Sequence, residues 1–316
     1  MTKRVLLASP RGYCAGVERA VETVERALSL HGAPVFVRRQ IVHNVHVVQR
    51  LEELGAVFVE SEADAPHGAV LVLSAHGVAP SVHAQAALRR QVTIDATCPL
   101  VSKVHAEARG YAEDGYTVVL VGHAGHEEVI GTQGEAPDAT VVIGSVAEAE
   151  RLEVPDPQRV AFVTQTTLSV DETADILSVL RRRFPAIRGP QKDDICYATT
   201  NRQNAVKALL PEIDLLLVIG SENSSNSNRL VDVARTAGVP AYLIEDVTAI
   251  REEWLEGAAT VGLTSGASAP ERLVTEVCRW FRSRGVDRIE EQSTVVEDVR
   301  FRLPSGLRLS IGPSAA

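Results

Sequence analysis

Three cysteines, Cys14, Cys98 and Cys196, each stand just before a stretch that reads as a helix, in PRGYCAGVERA, DATCPLVSKVH and DDICYATTNRQ. A thiol there faces unpaired backbone N–H groups and the positive end of the helix dipole. Both favour the thiolate, the form that binds metal. Pro99 suits the first position of a helix, which places Cys98 at the N-cap. Taken singly, each could be a buried small apolar residue, and Cys278 in LVTEVCRWFRS fits that reading, on an amphipathic helix without a polar turn. There is no CxxC pair among the four cysteines. In a reducing compartment disulfides are disfavoured, which leaves inert thiols, reactive thiols or metal ligands.

Three thiolates without a fourth partner suit two kinds of site. One is zinc completed by a histidine or water. The other is an iron–sulfur cluster with one iron left free of protein, able to act as a Lewis acid rather than only as an electron carrier. The spacing excludes neither. His43, His76 and His126 sit in polar turns, and His123 shares the GHAGH loop, whereas His31, His46, His67, His83 and His105 read as surface or helix residues. With Ser224, Ser225, Asn226 and Ser268, the three turn histidines would offer donors to an anion, above all a phosphate at helix N-termini. Glu128, in HEEVIGT, could hold a raised pKa in a closed apolar-walled site and deliver protons. Its neighbour Glu127 reads as solvated. Thr166 and Thr167 follow the strand VAFVT, where a hydroxyl could orient or relay a proton. Neither GxxxxGK[ST] nor GxGxxG occurs, so no standard nucleotide site is indicated.

The elements that must position these residues alternate as in α/β folds with mainly parallel sheets. Strand candidates are Val5 to Ala8, Val70 to Leu73, Thr117 to Val121, Val141 to Ile143, Val160 to Val163, Leu215 to Ile219 and Thr260 to Leu263. After Cys14, Val17, Val21, Val24 and Leu28 fall on one helical face, ending near His31-Gly32. A coarse repeat runs through the chain. His43, His126 and Ser224 lie 29, 28 and 28 residues beyond their respective cysteines. A second polar turn follows in each unit, at His76, Thr166 and Ser268, offset by 62, 68 and 72 residues. This order predicts three similar modules in pseudo-threefold arrangement: 1–97 with a C-terminal piece, 283–316, packing back; 98–194; and 195–282. In open α/β sheets ligands bind beyond the carboxyl ends of the strands, so three such ends would gather three thiols and six polar turns. The segment VDRIEEQSTVVEDVRFRLP reads as extended, and SGLRLSIGPSAA as a weakly ordered tail.

The 316 residues carry a net charge of −9 and only 4% aromatics, which argues against a nucleic-acid or anionic-membrane partner. No apolar run approaches the roughly 18 residues of a membrane span. The start, MTKRVLLASPRG, lacks the apolar core of a secretory signal, so a cytoplasmic location is expected. From the residues alone, a zinc hydrolase, an electron carrier or redox sensor, and a purely structural protein all remain open.

Taken together, PRGYCAGV, IVHNVHVV, SAHGVAP, DATCPLVSKVH, GHAGHEEVIGT, TQTTLSVDET, DDICYATTNRQ, GSENSSNSNRL and TSGASAPE resemble the 4-hydroxy-3-methylbut-2-enyl diphosphate reductase family of the methylerythritol phosphate route to isoprenoids, from residue 10 to about 271. The resemblance implies one [4Fe–4S] cluster per chain at the centre of three α/β modules, and selects iron over zinc. It implies reductive removal of an allylic hydroxyl, giving isopentenyl and dimethylallyl diphosphates, with electrons from a ferredoxin or flavodoxin. By match, Cys14, Cys98 and Cys196 would ligate iron. His43, His76, His126, Ser224, Ser225, Asn226 and Ser268 would hold the diphosphate. Glu128 would pass protons and Thr166 would orient the hydroxyl. The family's HPEVEGT reads HEEVIGT here, so Glu127 and Ile130 depart from the pattern, and neither is expected to touch these positions.

Overall fold

The computed structural model describes residues 2–307; of the expected tail, 305–316, the first three residues form a short 3-10 turn with Leu307 buried, and the part from 308 onward lies outside the described residues. Strand β1 (Arg4–Ser9) leads to Cys14 and helix α1 (Ala15–His31), followed by β2 (Val35–Arg38), α2 (Val45–Glu53), β3 (Ala56–Val59), β4 (Val70–Leu73), α3 (Pro80–Leu88) and β5 (Val92–Asp95). Beyond Cys98 come α4 (Pro99–Glu113), β6 (Thr117–Val121), α5 (Glu127–Gln133), β7 (Thr140–Ile143), α6 (Val146–Arg151), β8 (Val160–Thr164) and α7 (Val170–Arg183). Beyond Cys196 come α8 (Tyr197–Leu209), β9 (Leu215–Ile219), α9 (Ser225–Thr236), β10 (Ala241–Ile244), β11 (Thr260–Ser265), α10 (Glu271–Ser283) and β12 (Arg288–Ser293). Every expected strand is present. The unnamed strands β2, β3, β5 and β10 are four residues each, too short for periodicity to mark them.

The strands form three sheets, ordered β3-β2-β4-β5, β7-β6-β8 and β10-β9-β11-β1-β12. All their pairings are parallel. In each sheet the strand after the cysteine-led helix (β2, β6 or β9) has the next strand on one side and the third on the other. The chain entering the next cysteine then joins beside that third strand. β5 does so beside β4 before Cys98, and Arg188 bridges Ala161 of β8 before Cys196. The same place in the last sheet is filled by β1, beside β11 and ahead of Cys14.

This cyclic closure corrects one expectation. The first strand does not belong with the rest of 1–97; it is an inner strand of the last sheet. Val5 packs among Leu217, Leu263 and Phe281 on one face, while Leu6 and Ala8 meet Leu216, Val218 and Val206 on the other. A strand apolar on both sides needs a sheet covered on both faces. The next element, α1, does join the first sheet, where Val17, Val21 and Val24 pack on Val35, Val37 and Val72. Each fully buried valine of that face contributes about 1.5–3 kcal/mol. The C-terminal segment also spans two units. β12 extends the last sheet beside β1, and Leu307 reaches the core under α1. Among the described residues, no helix is long and apolar enough to cross a membrane.

Candidate active site

Cys14, Cys98 and Cys196 are the N-cap residues of α1, α4 and α8. Each cysteine amide donates to a carbonyl in the second polar turn of the preceding unit: Cys14 to Ala267 (3.2 Å), Cys98 to Ala75 (3.0 Å) and Cys196 to Thr166 (3.1 Å). The repeat thus fastens every thiol to a turn that also carries Ser268, His76 or Thr166. The thiols converge closely. A methyl group built on Gly16 would stand 2.8 Å from the Cys98 sulfur and 3.7 Å from that of Cys14. Among the described residues, no three His, Cys, Asp or Glu side chains are placed to share a single ion.

Burial pushes all three thiols up. Cys98 reaches about 12 and Cys196 about 11, with the charge of Cys14 adding to each. Cys14 also rises through burial, opposed by the Arg202 guanidinium and the N–H groups of Val17 and Gly16. Three buried sulfurs that oppose one another's ionisation need a cationic partner to stand as thiolates together. Cys278 instead lies buried in the apolar core beneath α10, as its helical context predicts.

One cavity is lined by every sequence-predicted site residue: the three cysteines, His43, His76, His126, Glu128, Thr166, Ser224, Ser225, Asn226 and Ser268. His43 stacks on His76 with ring centres 4.1 Å apart, and His126 meets both edge-on at 5.5 and 5.9 Å. Burial, reinforced by the neighbouring rings, pushes His43 down to about 2 and His126 to about 4. Without an anion, both rings are neutral at physiological pH.

The first polar turns are helix starts. Asn44 caps α2 and accepts from the Val47 amide (3.1 Å); His126 caps α5 and its Nδ1 accepts from the Glu128 amide (3.2 Å). Ser224 caps α9, taking the Ser227 amide at 3.3 Å. Unpaired N–H groups of these first turns join the hydroxyls in offering an anion several donors. Ser268 donates to the His43 carbonyl (2.9 Å), and Asn226 accepts from the Ala267 amide (2.9 Å). The first contact binds the last unit to the first, and the second joins the two polar turns of the last unit to each other.

Glu128 is 2% exposed. Its Oε1 accepts from the Thr166 amide at 2.6 Å and its Oε2 from the Thr166 hydroxyl at 3.0 Å. Burial nevertheless prevails and pushes the carboxyl up to about 7. That value suits a proton donor working near neutrality.

Two expectations about the HEEVIGT loop change. Glu127 is not solvated: its side chain is 17% exposed and lies 3.5 Å from His76 Nδ1 and 3.6 Å from Arg39. The departure at this position therefore does touch a site residue. Burial raises the Glu127 carboxyl, but His76 and Arg39 together hold it below the usual range. His105 is likewise buried, its Nδ1 paired with Glu135 at 2.8 Å. Three residues escaped the reading of the residues alone. Gly16 clears space between two sulfurs, and Thr199 places its hydroxyl 3.2 Å from the Cys196 sulfur. Gln165 joins His123 to Thr167. A glycine in the first turn of a helix, where alanine is cheaper, was the available signal for Gly16.

Comparison with known proteins agrees with this geometry. The family described as LytB protein matches residues 5–282. The chain is 59% identical to 4-hydroxy-3-methylbut-2-enyl diphosphate reductase of Acidothermus cellulolyticus over 97% of its own length and 90% of that protein's. It is 57% identical to the enzyme of the same name from Mycolicibacterium paratuberculosis over 97% and 92%. Among solved structures, the E-1-hydroxy-2-methyl-but-2-enyl-4-diphosphate reductase of Plasmodium falciparum superposes with a TM-score of 0.92, at 38% identity and 97% coverage of both chains. Fold, thiol placement and likeness meet in one conclusion: the chain belongs to the LytB family.

Proposed function

We propose that this chain is an oxidoreductase that reduces 4-hydroxy-3-methylbut-2-enyl diphosphate, removing its allylic hydroxyl as water and yielding isopentenyl and dimethylallyl diphosphates. The observation that carries the reading is the convergence of three thiols, three imidazoles and a buried carboxyl, delivered by three parallel sheets, on one cavity. Cys14, Cys98 and Cys196 would hold a [4Fe–4S] cluster. The donor set fits: three sulfurs at helix N-termini, all lining one cavity, are suited to a cationic body that takes a thiolate from each of three sides. When bound, such a cluster supplies electrons and one iron open to the substrate.

The residues of the chain do the rest. His43, His76, His126, Ser224, Ser225, Asn226 and Ser268 take the diphosphate, their donors replacing the water it loses. Anchoring that end fixes the hydroxylated end beside the thiols, a positioning effect of up to about 7–11 kcal/mol in the best cases. Thr166 orients the hydroxyl, and Glu128, protonated near neutrality, gives it the proton with which it departs as water. Two electrons and a second proton, accepted at either of two carbons, complete the balance and account for two products. The electrons come from a small ferredoxin or flavodoxin, and the reaction takes place in the cytoplasm.

The test is anaerobic purification followed by iron, sulfide and spectroscopic analysis, with and without the hydroxylated diphosphate. Expected are about four irons per chain, a spectrum perturbed by substrate, and both products on reduction. A colourless chain that binds zinc, or a loaded one indifferent to substrate, would overturn the reading.

A further inference from the structure

Outside the lining of the cavity, the structure repeats a second device. Arg19, five residues past Cys14, donates through Nη1 to the carbonyls of Ala96 (2.9 Å) and Thr97 (3.0 Å), immediately before Cys98. Lys103, five residues past Cys98, donates to the Lys192 carbonyl (2.8 Å) and to Asp194 Oδ1 (2.7 Å), just before Cys196. Arg202, six residues past Cys196, donates through Nη2 to the carbonyls of Gly12 (2.7 Å) and Tyr13 (3.4 Å), immediately before Cys14. Each cysteine-led helix thus sends a cation from its second turn to the approach of the next cysteine. The third returns to the first, so the ring closes.

We propose that Arg19, Lys103 and Arg202 form a cyclic clamp that sets the spacing of the three thiols around their inorganic centre. They are positioning residues, and the proposal rests on the cluster reading above. The contacts suit the task. Charge-assisted hydrogen bonds are about twice as strong as neutral ones, and four of the six go to backbone within two residues of a cysteine. Arg202 is wholly buried and is balanced by Glu297 at 3.1 Å. Asp194 is anchored in turn by the Thr164 amide at 2.9 Å. The C-terminal segment braces two of the three clamps, through Glu297 and through the Arg302 carbonyl, which accepts from Arg19 Nε at 2.8 Å. None of the three cations lines the substrate cavity. Of the three, the Arg202 guanidinium also acts directly on a thiol, that of Cys14, and so favours the anionic, reduced state of whatever that thiol holds.

The experiment compares anaerobically loaded wild type with Arg19→Met, Lys103→Met and Arg202→Met, and with the conservative Arg19→Lys and Lys103→Arg. Lys207→Met, which breaks the outward bridge to Asp171, is the control. Read out are the rate of cluster loss in air, the cluster's reduction potential, kcat and KM, and the melting temperature of the metal-free chain. Expected is about tenfold faster cluster loss for each Met variant of the ring, the rate equivalent of one charged hydrogen bond. The potential should fall in Arg202→Met, and in all three kcat should drop and KM should hold, with the conservative variants partly restored and the control unchanged. Should Arg202→Met fail to fold, the half-exposed Arg19 and Lys103 carry the test. Wild-type cluster lifetimes in both of those variants, or equal shortening in Lys207→Met, would overturn the clamp alone. A wild-type chain that takes up no iron and sulfide would overturn the cluster reading, and the clamp with it.

Discussion

Both carboxylate oxygens of Glu128 are held by a single residue, Thr166, through its amide at 2.6 Å and its hydroxyl at 3.0 Å. The two come from different strand ends of one sheet: Glu128 follows β6 and Thr166 follows β8, which pair directly. The carboxyl is therefore fixed in orientation before any substrate arrives.

The hydroxyl bond favours the charged carboxylate, so losing it moves the titration upward. With Glu128 as the proposed proton donor, the alkaline limb of kcat/KM should lie near pH 7 in the wild type and shift to higher pH in Thr166→Val, where the amide bond survives. His76 and Asp194 also face this carboxyl, and both are retained. Glu128→Gln keeps the shape and removes the proton, and should cost kcat about 10²–10⁴-fold with little change in KM. A limb that stays in place in Thr166→Val would show that another group governs it.

The imidazole cluster makes a prediction about pH and anions. His43 and His126 fold as neutral rings, titrating near 2 and 4 instead of 6.5. Below about pH 6.5 the unfolded chain binds protons that the folded chain refuses, so their contribution to stability is whole above 6.5 and lost as pH falls. A bound diphosphate reverses the cost by favouring the imidazolium forms. Inorganic pyrophosphate should thus raise the melting temperature more near pH 6 than near pH 8. A pyrophosphate effect that grows toward pH 8 would contradict this arrangement.

The legibility of the site and of the fold differed for a physical reason. Polar side chains at the carboxyl ends of strands announce themselves by type, so His43, His126 and Ser224 could be read by their distance from a cysteine. Which sheet a strand enters depends on partners far along the chain. β1 looks the same in sequence whether it pairs with β4 or with β11, and only its burial on both faces in the last sheet decides the matter. Glu127 shows the other limit. A carboxylate beside a polar loop reads as solvated, and it is the approach of His76 and Arg39 from other turns that buries it.

The four cysteines separate into two kinds, and substitution should separate them too. Cys14→Ser, Cys98→Ser and Cys196→Ser each remove one of three convergent thiols, and should leave chains that fold but retain little iron after anaerobic reconstitution. Cys278 lies buried beside Phe281 and Val274; Cys278→Ala should keep full iron content and lose only about 1 kcal/mol of stability, roughly one methylene-equivalent of packing. Iron analysis and thermal melts on the same preparations decide it. Loss of iron in Cys278→Ala would place that thiol in the wrong class.

Gly16 offers the sharpest test of thiol spacing, because it lies in the first turn of α1 and its replacement by alanine is otherwise favourable. In a helix the change should gain up to about 1 kcal/mol. The added methyl would, however, stand 2.8 Å from the Cys98 sulfur and 3.5 Å from its Cβ, well inside contact distance, with the helix starts of α1 and α4 both fixed by backbone bonds. The metal-free chain can relieve the clash by rotating the Cys98 side chain. A ligated sulfur cannot. Gly16→Ala should therefore melt no lower than wild type without metal, yet take up iron poorly and lose it faster, with kcat falling in proportion to iron retained. Parallel melting curves and iron assays measure the two effects separately. Full iron uptake in this variant would mean that the Cys98 sulfur does not point where the geometry places it.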